Sequence, residues 1–115
     1  MDESGDLLQG TLEMLVLKAL SLQPMHGWGI GHRIEQMSRD VFRVPQGSLY
    51  PALQRMLRKG SIKSEWRISE NNRRARYYKI TAAGQRQLQR EAEAWKRSSA
   101  AVDSIMTGKL LEGTS

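Results

Sequence analysis

The sequence predicts a mainly α-helical fold with one small β-hairpin. Three observations lead to this prediction. A short amphipathic segment ends at Gly60, two alternating segments follow with a polar, arginine-rich connection between them, and a long charged helix closes the chain. The order of helix, strand, basic turn and strand is that of a recognition helix and its wing. We therefore expect a winged helix-turn-helix followed by a long C-terminal helix.

Two helices are predicted in the first third of the chain. Apolar residues recur at helical spacing from Leu8 to Leu22, and Pro24 ends that pattern. The second helix, from His26 to Met37, is weaker because it contains three glycines, each of which lowers helix propensity by roughly 1 kcal/mol relative to alanine. The segment 40–44 fits either a small edge strand or an extended connector.

The third helix is predicted to run from about Ser48 to Lys59. Ser48 is a good N-cap residue, and Pro51 would then fall in the first turn, where its missing N–H matters little. Gly60 is a typical residue after a helix C-terminus. We expect this helix to be the one that enters the major groove.

The hairpin is predicted from two alternating segments. Residues 62–68 and 76–80 each alternate between apolar and polar side chains, which is typical of half-buried strands. The connection between them contains Asn71 and Asn72, which tolerate the positive φ angles of a turn. Residues 69–76 would form the basic tip of the wing.

The last helix is predicted to begin after an N-cap at Thr81 and to continue to about Met106. Its apolar side chains are sparse, and charged residues fill the other faces. A long helix with a narrow apolar stripe more often packs on a partner than on its own domain. We therefore divide the chain into a DNA-binding domain (1–81), a dimerisation helix (82–107) and a flexible tail (108–115).

The charge distribution predicts a polyanionic partner. The chain has a net charge of +6, and the window from Arg55 to Lys79 alone contains nine basic and two acidic residues. Arginine dominates this window, and its planar guanidinium matches phosphates and base edges. Cysteine is absent, and no apolar run approaches a membrane span of about 20 residues. We expect a cytoplasmic protein without a cofactor, metal site or enzymatic activity, since no catalytic or ligand constellation stands out.

Candidate DNA-binding residues lie on the outer face of the third helix and on the wing. Gln54 and Arg55 can form paired hydrogen bonds with adenine and guanine, whereas Ser48 and Tyr50 suit phosphates. The arginines of the wing would neutralise phosphates or enter a narrow minor groove. The full predicted set is Gln46, Ser48, Tyr50, Gln54, Arg55, Lys63, Arg73, Arg74 and Arg76.

Four segments, within residues 7–84, make the chain resemble PadR-type bacterial transcriptional regulators of the short class with a single C-terminal helix. These segments are L-L-Q-G-T-L-E-M-L-V-L-K-A-L, H-G-W-G-I, G-S-L-Y-P-A-L-Q-R-M-L-R-K-G and R-R-A-R-Y-Y-K-I-T-A-A-G. The resemblance implies a homodimer that represses transcription from a palindromic operator and is released by an effector. The chain departs from the family in carrying Trp28 and Gly29 where a tyrosine followed by a glutamate is common.

Dimerisation is assigned to apolar residues of the first and last helices. The predicted set is Leu8, Leu12, Leu88, Ala92, Trp95, Val102, Ile105 and Met106. Trp95 and its symmetry mate could instead wall an effector pocket, with Leu88, Ala92 or Met14 nearby, in which a flat aromatic or hydrophobic compound would stack. Two other functions stay open from the sequence, a protein-interaction module and an RNA-binding domain that uses the same basic face.

Overall fold

The computed structural model confirms a mainly α-helical fold with a small antiparallel sheet. It describes residues 3–68 and 70–108, and side-chain burial from Gly10 onward. The elements, in chain order, are α1 (Glu3–Leu22), β1 (Met25–His26), α2 (Gly27–Met37), α3 (Gln46–Lys59), β2 (Ile62–Ile68), β3 (Arg74–Ile80) and α4 (Ala82–Thr107).

The core lies where α1 packs against the other helices and the sheet. Helix α1 is longer than predicted because it already begins at Glu3, and its buried side chains include Val16 and Leu17, which are fully inaccessible. Leu53 and Met56 of α3 and Ile62 of β2 complete the same cluster. Burial of large aliphatic side chains, at about 25 cal/mol per Å² of apolar surface, is the main force that orients α3.

The connector between α2 and α3 forms no strand; it turns sharply after α2 and then runs without regular structure to the start of α3. The backbone N–H of Val44 donates to Oε2 of Glu35 at 2.9 Å, and Val44 is buried. Two consecutive residues, Arg39 and Asp40, adopt positive φ angles after the end of α2. This tight turn and the Glu35 bond fix where α3 begins.

The predicted start of α3 was wrong. The helix begins at Gln46, two residues early, and Ser48 lies inside its first turn rather than at the cap. Pro45 occupies the cap position with its φ at −65°, and its carbonyl accepts from the backbone N–H groups of both Ser48 and Leu49. Pro51 therefore sits inside the helix and removes one backbone hydrogen bond. At the other end, Gly60 adopts a φ of 80° and ends the helix as expected.

The sheet contains one strand more than the sequence predicts. The strand order is β1-β3-β2, and β1 pairs with β3 through Met25↔Tyr78 and His26↔Tyr77. Strand β2 has its predicted bounds, whereas β3 already begins at Arg74 and pairs it with Ile68. The turn at the wing tip is consequently shorter than predicted, with Asn72 at a φ of 58°. We call residues 62–80 the wing.

Helix α4 begins as predicted at a Thr81 cap. The backbone N–H of Gly84 donates to Oγ1 of Thr81 at 3.0 Å, and the N–H of Thr81 donates to the carbonyl of Ser61 at 3.1 Å. A β-carbon at Gly84 would lie only 2.0 Å from that same Ser61 carbonyl oxygen, so the first turn of α4 rests directly on the backbone before β2. The predicted tail lies outside the described residues except for Gly108.

Candidate nucleic-acid interface

Helix α3 has one buried face and one exposed face, as a recognition helix requires. Its inward side chains include Leu49, Leu53 and Met56. The five predicted contact residues on this helix are all exposed: Gln46, Ser48, Tyr50, Gln54 and Arg55. Among these five, at 100° per residue along the helix, the side chain of Gln54 points most directly away from the core.

Arg55 is engaged within the protein. Its Nε lies 3.4 Å from Oε2 of Glu13 on α1, and Nζ of Lys59 lies 2.5 Å from Oε1 of the same carboxylate. Gln87 of α4 donates to that carboxylate as well, at 3.3 Å. We call these four residues the Glu13 cluster. It ties α3 to both α1 and α4, and it turns Arg55 towards the flank of the recognition helix.

The electrostatics of Glu13 reflect these partners. Burial alone would raise its pKa, but the hydrogen bond and charge of Lys59, with further hydrogen bonds from Gln87 and Arg55, lower it below the ordinary value. The carboxylate is therefore ionised at neutral pH and anchors two cationic side chains of α3.

Arg58 is an interface candidate that the sequence reasoning missed. It is exposed and lies four residues after Gln54, so both side chains share the outward face of α3. The signal was present in the sequence, since Arg58 falls opposite the apolar stripe. It was not predicted because it lies near the C-terminal end of the helix, whereas recognition helices contact base edges mainly through their N-terminal residues.

On the wing, aromatic rings hold two of the predicted arginines. The guanidinium of Arg74 lies 4.8 Å from the centre of the Trp66 ring, and that of Arg76 lies 5.6 Å from the Tyr78 ring. Nε of Arg76 also donates to Oγ of Ser64 at 2.9 Å. Burial raises the pKa of the Tyr78 phenol, although Arg76 opposes the shift. Because these contacts restrain long side chains, the charges are presented with little remaining freedom.

A groove of about 480 Å³ separates the wing from the N-terminal ends of α2 and α3. We call it the wing groove. Its lining combines cationic and aromatic side chains, among them Trp28, Tyr50, Trp66, Arg73, Arg74 and Arg76. Lys63 lies elsewhere, on the opposite face of the hairpin, where its register partner is Lys79. The groove therefore gathers three of the four predicted basic wing residues beside the start of α3.

The predicted dimerisation residues differ in their burial. Leu12 is only 4% exposed and belongs to the domain's own core, so it offers little surface to a dimer contact. Leu88 is half-buried against that core. The others described on α4 are exposed, namely Ala92, Trp95, Val102, Ile105 and Met106. The side chain of Leu8 lies outside the described residues.

A cleft of about 220 Å³ lies between α1 and α4. We call it the α1–α4 cleft. It brings together Met14 and Trp95, the two residues predicted for an effector pocket, and Glu91 also lines it. Trp95 is 42% exposed in the single chain.

Among residues 3–68 and 70–108, no group of histidine, aspartate or glutamate side chains is arranged to hold a metal ion. None of the helices in this part of the chain is long and apolar enough to cross a membrane.

Known proteins place the chain in a family. The sequence model of the transcriptional regulator PadR-like family matches residues 16–90, more than half of the chain. A PadR-like transcriptional regulator from Bacillus cereus is 28% identical, with a TM-score of 0.79 over 90% of this chain and 99% of that one. A PadR family regulator from Eggerthella lenta is 26% identical, with a TM-score of 0.77 over 90% and 88% of the two chains.

A relative of a different size shares a higher identity. An uncharacterised 37.1 kDa protein of transposon TN4556 from Streptomyces fradiae is 41% identical over 90 residues, which cover 78% of this chain and 24% of that protein. The likeness in sequence and in fold leads to one conclusion. The chain belongs to the PadR-like family of transcriptional regulators.

Proposed function

We propose that the protein is a homodimeric, sequence-specific DNA-binding regulator that represses transcription. The observation that carries this proposal is the wing groove, which places restrained arginines beside the exposed face of α3. A recognition helix in a major groove brings an adjacent wing close to the neighbouring phosphates. The basic lining supports a DNA occupant over an uncharged one.

Within this proposal, α3 reads the bases. Gln54 and Arg58 share its outward face and would meet base edges, while Gln46 and Ser48 lie at its N-terminal end and Tyr50 lines the wing groove. For Arg55 we propose a positioning role rather than base reading, which its contact with Glu13 supports.

The dimer is proposed to form through α4. Its exposed apolar side chains, Trp95, Val102, Ile105 and Met106, would be covered by a second copy, as expected for a narrow apolar stripe on a long helix. Twofold symmetry would then present two recognition helices to a palindromic operator. The α1–α4 cleft, with Trp95 and Met14, would receive a small aromatic or hydrophobic effector that releases the DNA. A cytoplasmic location follows from this role.

The test is binding to a labelled fragment from the gene's own upstream region, in excess random DNA, at several salt concentrations. Wild type should bind tightly and resist the competitor. Arg74→Ala should weaken binding. The slope of log K against log salt should become less steep by about one, which corresponds to one lost phosphate contact. Arg97→Ala removes the same charge from an exposed site on α4 and should leave that slope unchanged.

The same assay separates the alternatives. Displacement by duplex RNA as effectively as by operator DNA would favour an RNA-binding domain. Loss of all binding at moderate salt would mean that the basic face is a general polyanion surface, and a protein-interaction module would then replace the proposed regulator.

A further inference from the structure

Three aromatic side chains stack at the start of α2, where the chain departs from the usual family residues. The Trp28 ring centre lies 4.8 Å from that of His32, with 10° between the planes, and 5.9 Å from that of His26, with 21°. We call these residues the ring stack. Trp28 is nevertheless 61% exposed. A large side chain that is restrained by its neighbours yet open to solvent is suited to meeting a partner.

Side chains of the ring stack carry hydrogen-bond donors that a partner could use. The N–H of Gly29 donates to Nδ1 of His26 at 3.1 Å, so Nε2 is the ring nitrogen left to donate to a partner. His26 also meets the Tyr77 ring edge to face. Trp28 carries an indole N–H that can only donate, on a side chain that is largely exposed.

The position of Trp28 identifies the partner. Trp28 lines the wing groove and also a second groove, which it shares with His32 and with Gln46 of α3. Beside it, Gly27 permits the close approach of Tyr50, because a β-carbon there would lie 2.8 Å from the Tyr50 hydroxyl. The indole thus stands between the start of the recognition helix and the arginines of the wing.

We propose that Trp28 is a DNA-contacting residue whose indole N–H donates to a backbone phosphate of the operator. The ring stack fixes the indole before DNA binds, which reduces the entropy lost on contact. A backbone phosphate, which only accepts, suits the donor-only N–H of a ring that already stacks on imidazoles. This inference rests on the proposed DNA-binding function and adds a third contact element to α3 and the wing.

The experiment measures operator affinity by fluorescence anisotropy for Trp28→Phe, Trp28→Ala and Met37→Ala. Phenylalanine keeps a stacking ring but loses the N–H, so Trp28→Phe should weaken binding roughly three- to tenfold. The salt slope should stay at the wild-type value, because a neutral donor releases no counterion. Met37 is exposed at the far end of the same helix, and its variant should bind like wild type.

The outcomes separate this inference from the proposed function. Wild-type affinity for Trp28→Phe, together with weakened binding by Arg74→Ala, would overturn the Trp28 contact and leave the regulator in place. Failure of wild type to bind any DNA specifically would remove both. Unchanged melting temperatures across the three variants would show that a loss of affinity for Trp28→Phe does not come from unfolding.

Discussion

Replacing Gly84 with alanine tests how the last helix docks on the domain. The new β-carbon would lie 2.0 Å from the Ser61 carbonyl oxygen and 2.8 Å from Cγ1 of Ile80, whereas ordinary contacts begin near 3.4 Å. The backbones must therefore separate by about 1.4 Å, judged against that contact distance. The same movement would stretch the hydrogen bond from the Thr81 N–H to the Ser61 carbonyl, now 3.1 Å long.

The expected magnitude combines three contributions. Overpacking against a backbone atom destabilises by roughly 2–3 kcal/mol, and the weakened hydrogen bond adds about 1 kcal/mol. The better helix propensity of alanine returns about 1 kcal/mol. The net loss of about 2–3 kcal/mol should lower the melting temperature by roughly 8–12 °C for a domain of this size.

Thermal unfolding followed by circular dichroism measures the effect of Gly84→Ala. Gly47→Ala is the matched control, since Gly47 also lies in a helix but has open space around its β-carbon position. That variant should be as stable as wild type or more stable by up to about 1 kcal/mol. If Gly84→Ala melted at the wild-type temperature, the close contact between α4 and the Ser61 backbone would be refuted.

Three further variants test other parts of the structure. Because the folded-state pKa of Glu13 is lowered, its ionised carboxylate stabilises the fold at pH values above the ordinary pKa of 4.5. This stabilisation is lost as the pH falls below that value. The free energy of unfolding in urea should fall less between pH 7 and pH 3 for Glu13→Gln than for wild type. An equal fall in both proteins would contradict the role of the Glu13 cluster. Arg58→Ala should reduce operator affinity about five- to 100-fold in anisotropy titrations, more than Arg55→Ala, if Arg58 reads a base; the reverse order would restore Arg55 as a reader. Trp95→Glu should yield monomers in light scattering, because a charge would be buried at the proposed interface; a stable dimer would argue against α4 as the contact.

The fold was largely predictable because its signals are local. Alternation set the bounds of β2 correctly, and the cap at Thr81 and the stop at Gly60 were both found. The start of α3 was missed because Ser48 is a preferred cap residue, whereas Pro45 has no side-chain group that could cap the helix. Strand β1 has only two residues, too few for any alternation pattern.

The site was less predictable because its key contacts are long-range. The pairing of Arg55 with Glu13 joins residues 42 positions apart, and helical position alone cannot reveal it. Leu12 belongs to an apolar stripe that the sequence cannot divide between the domain's core and a partner. The contact of Trp28 with His32 had a local signal, since residues four apart share a helix face.

The length of α4 has a mechanical consequence for the proposed dimer. Its 26 residues span roughly 39 Å, and its base is fixed where Gly84 meets Ser61. Such a helix can tilt as a rigid body about that contact. A tilt of about 5° would displace its far end by about 3.4 Å, close to the rise of one base pair. A small molecule bound in the α1–α4 cleft would thus be enough to change the spacing of the two recognition helices, so that they no longer match their half-sites.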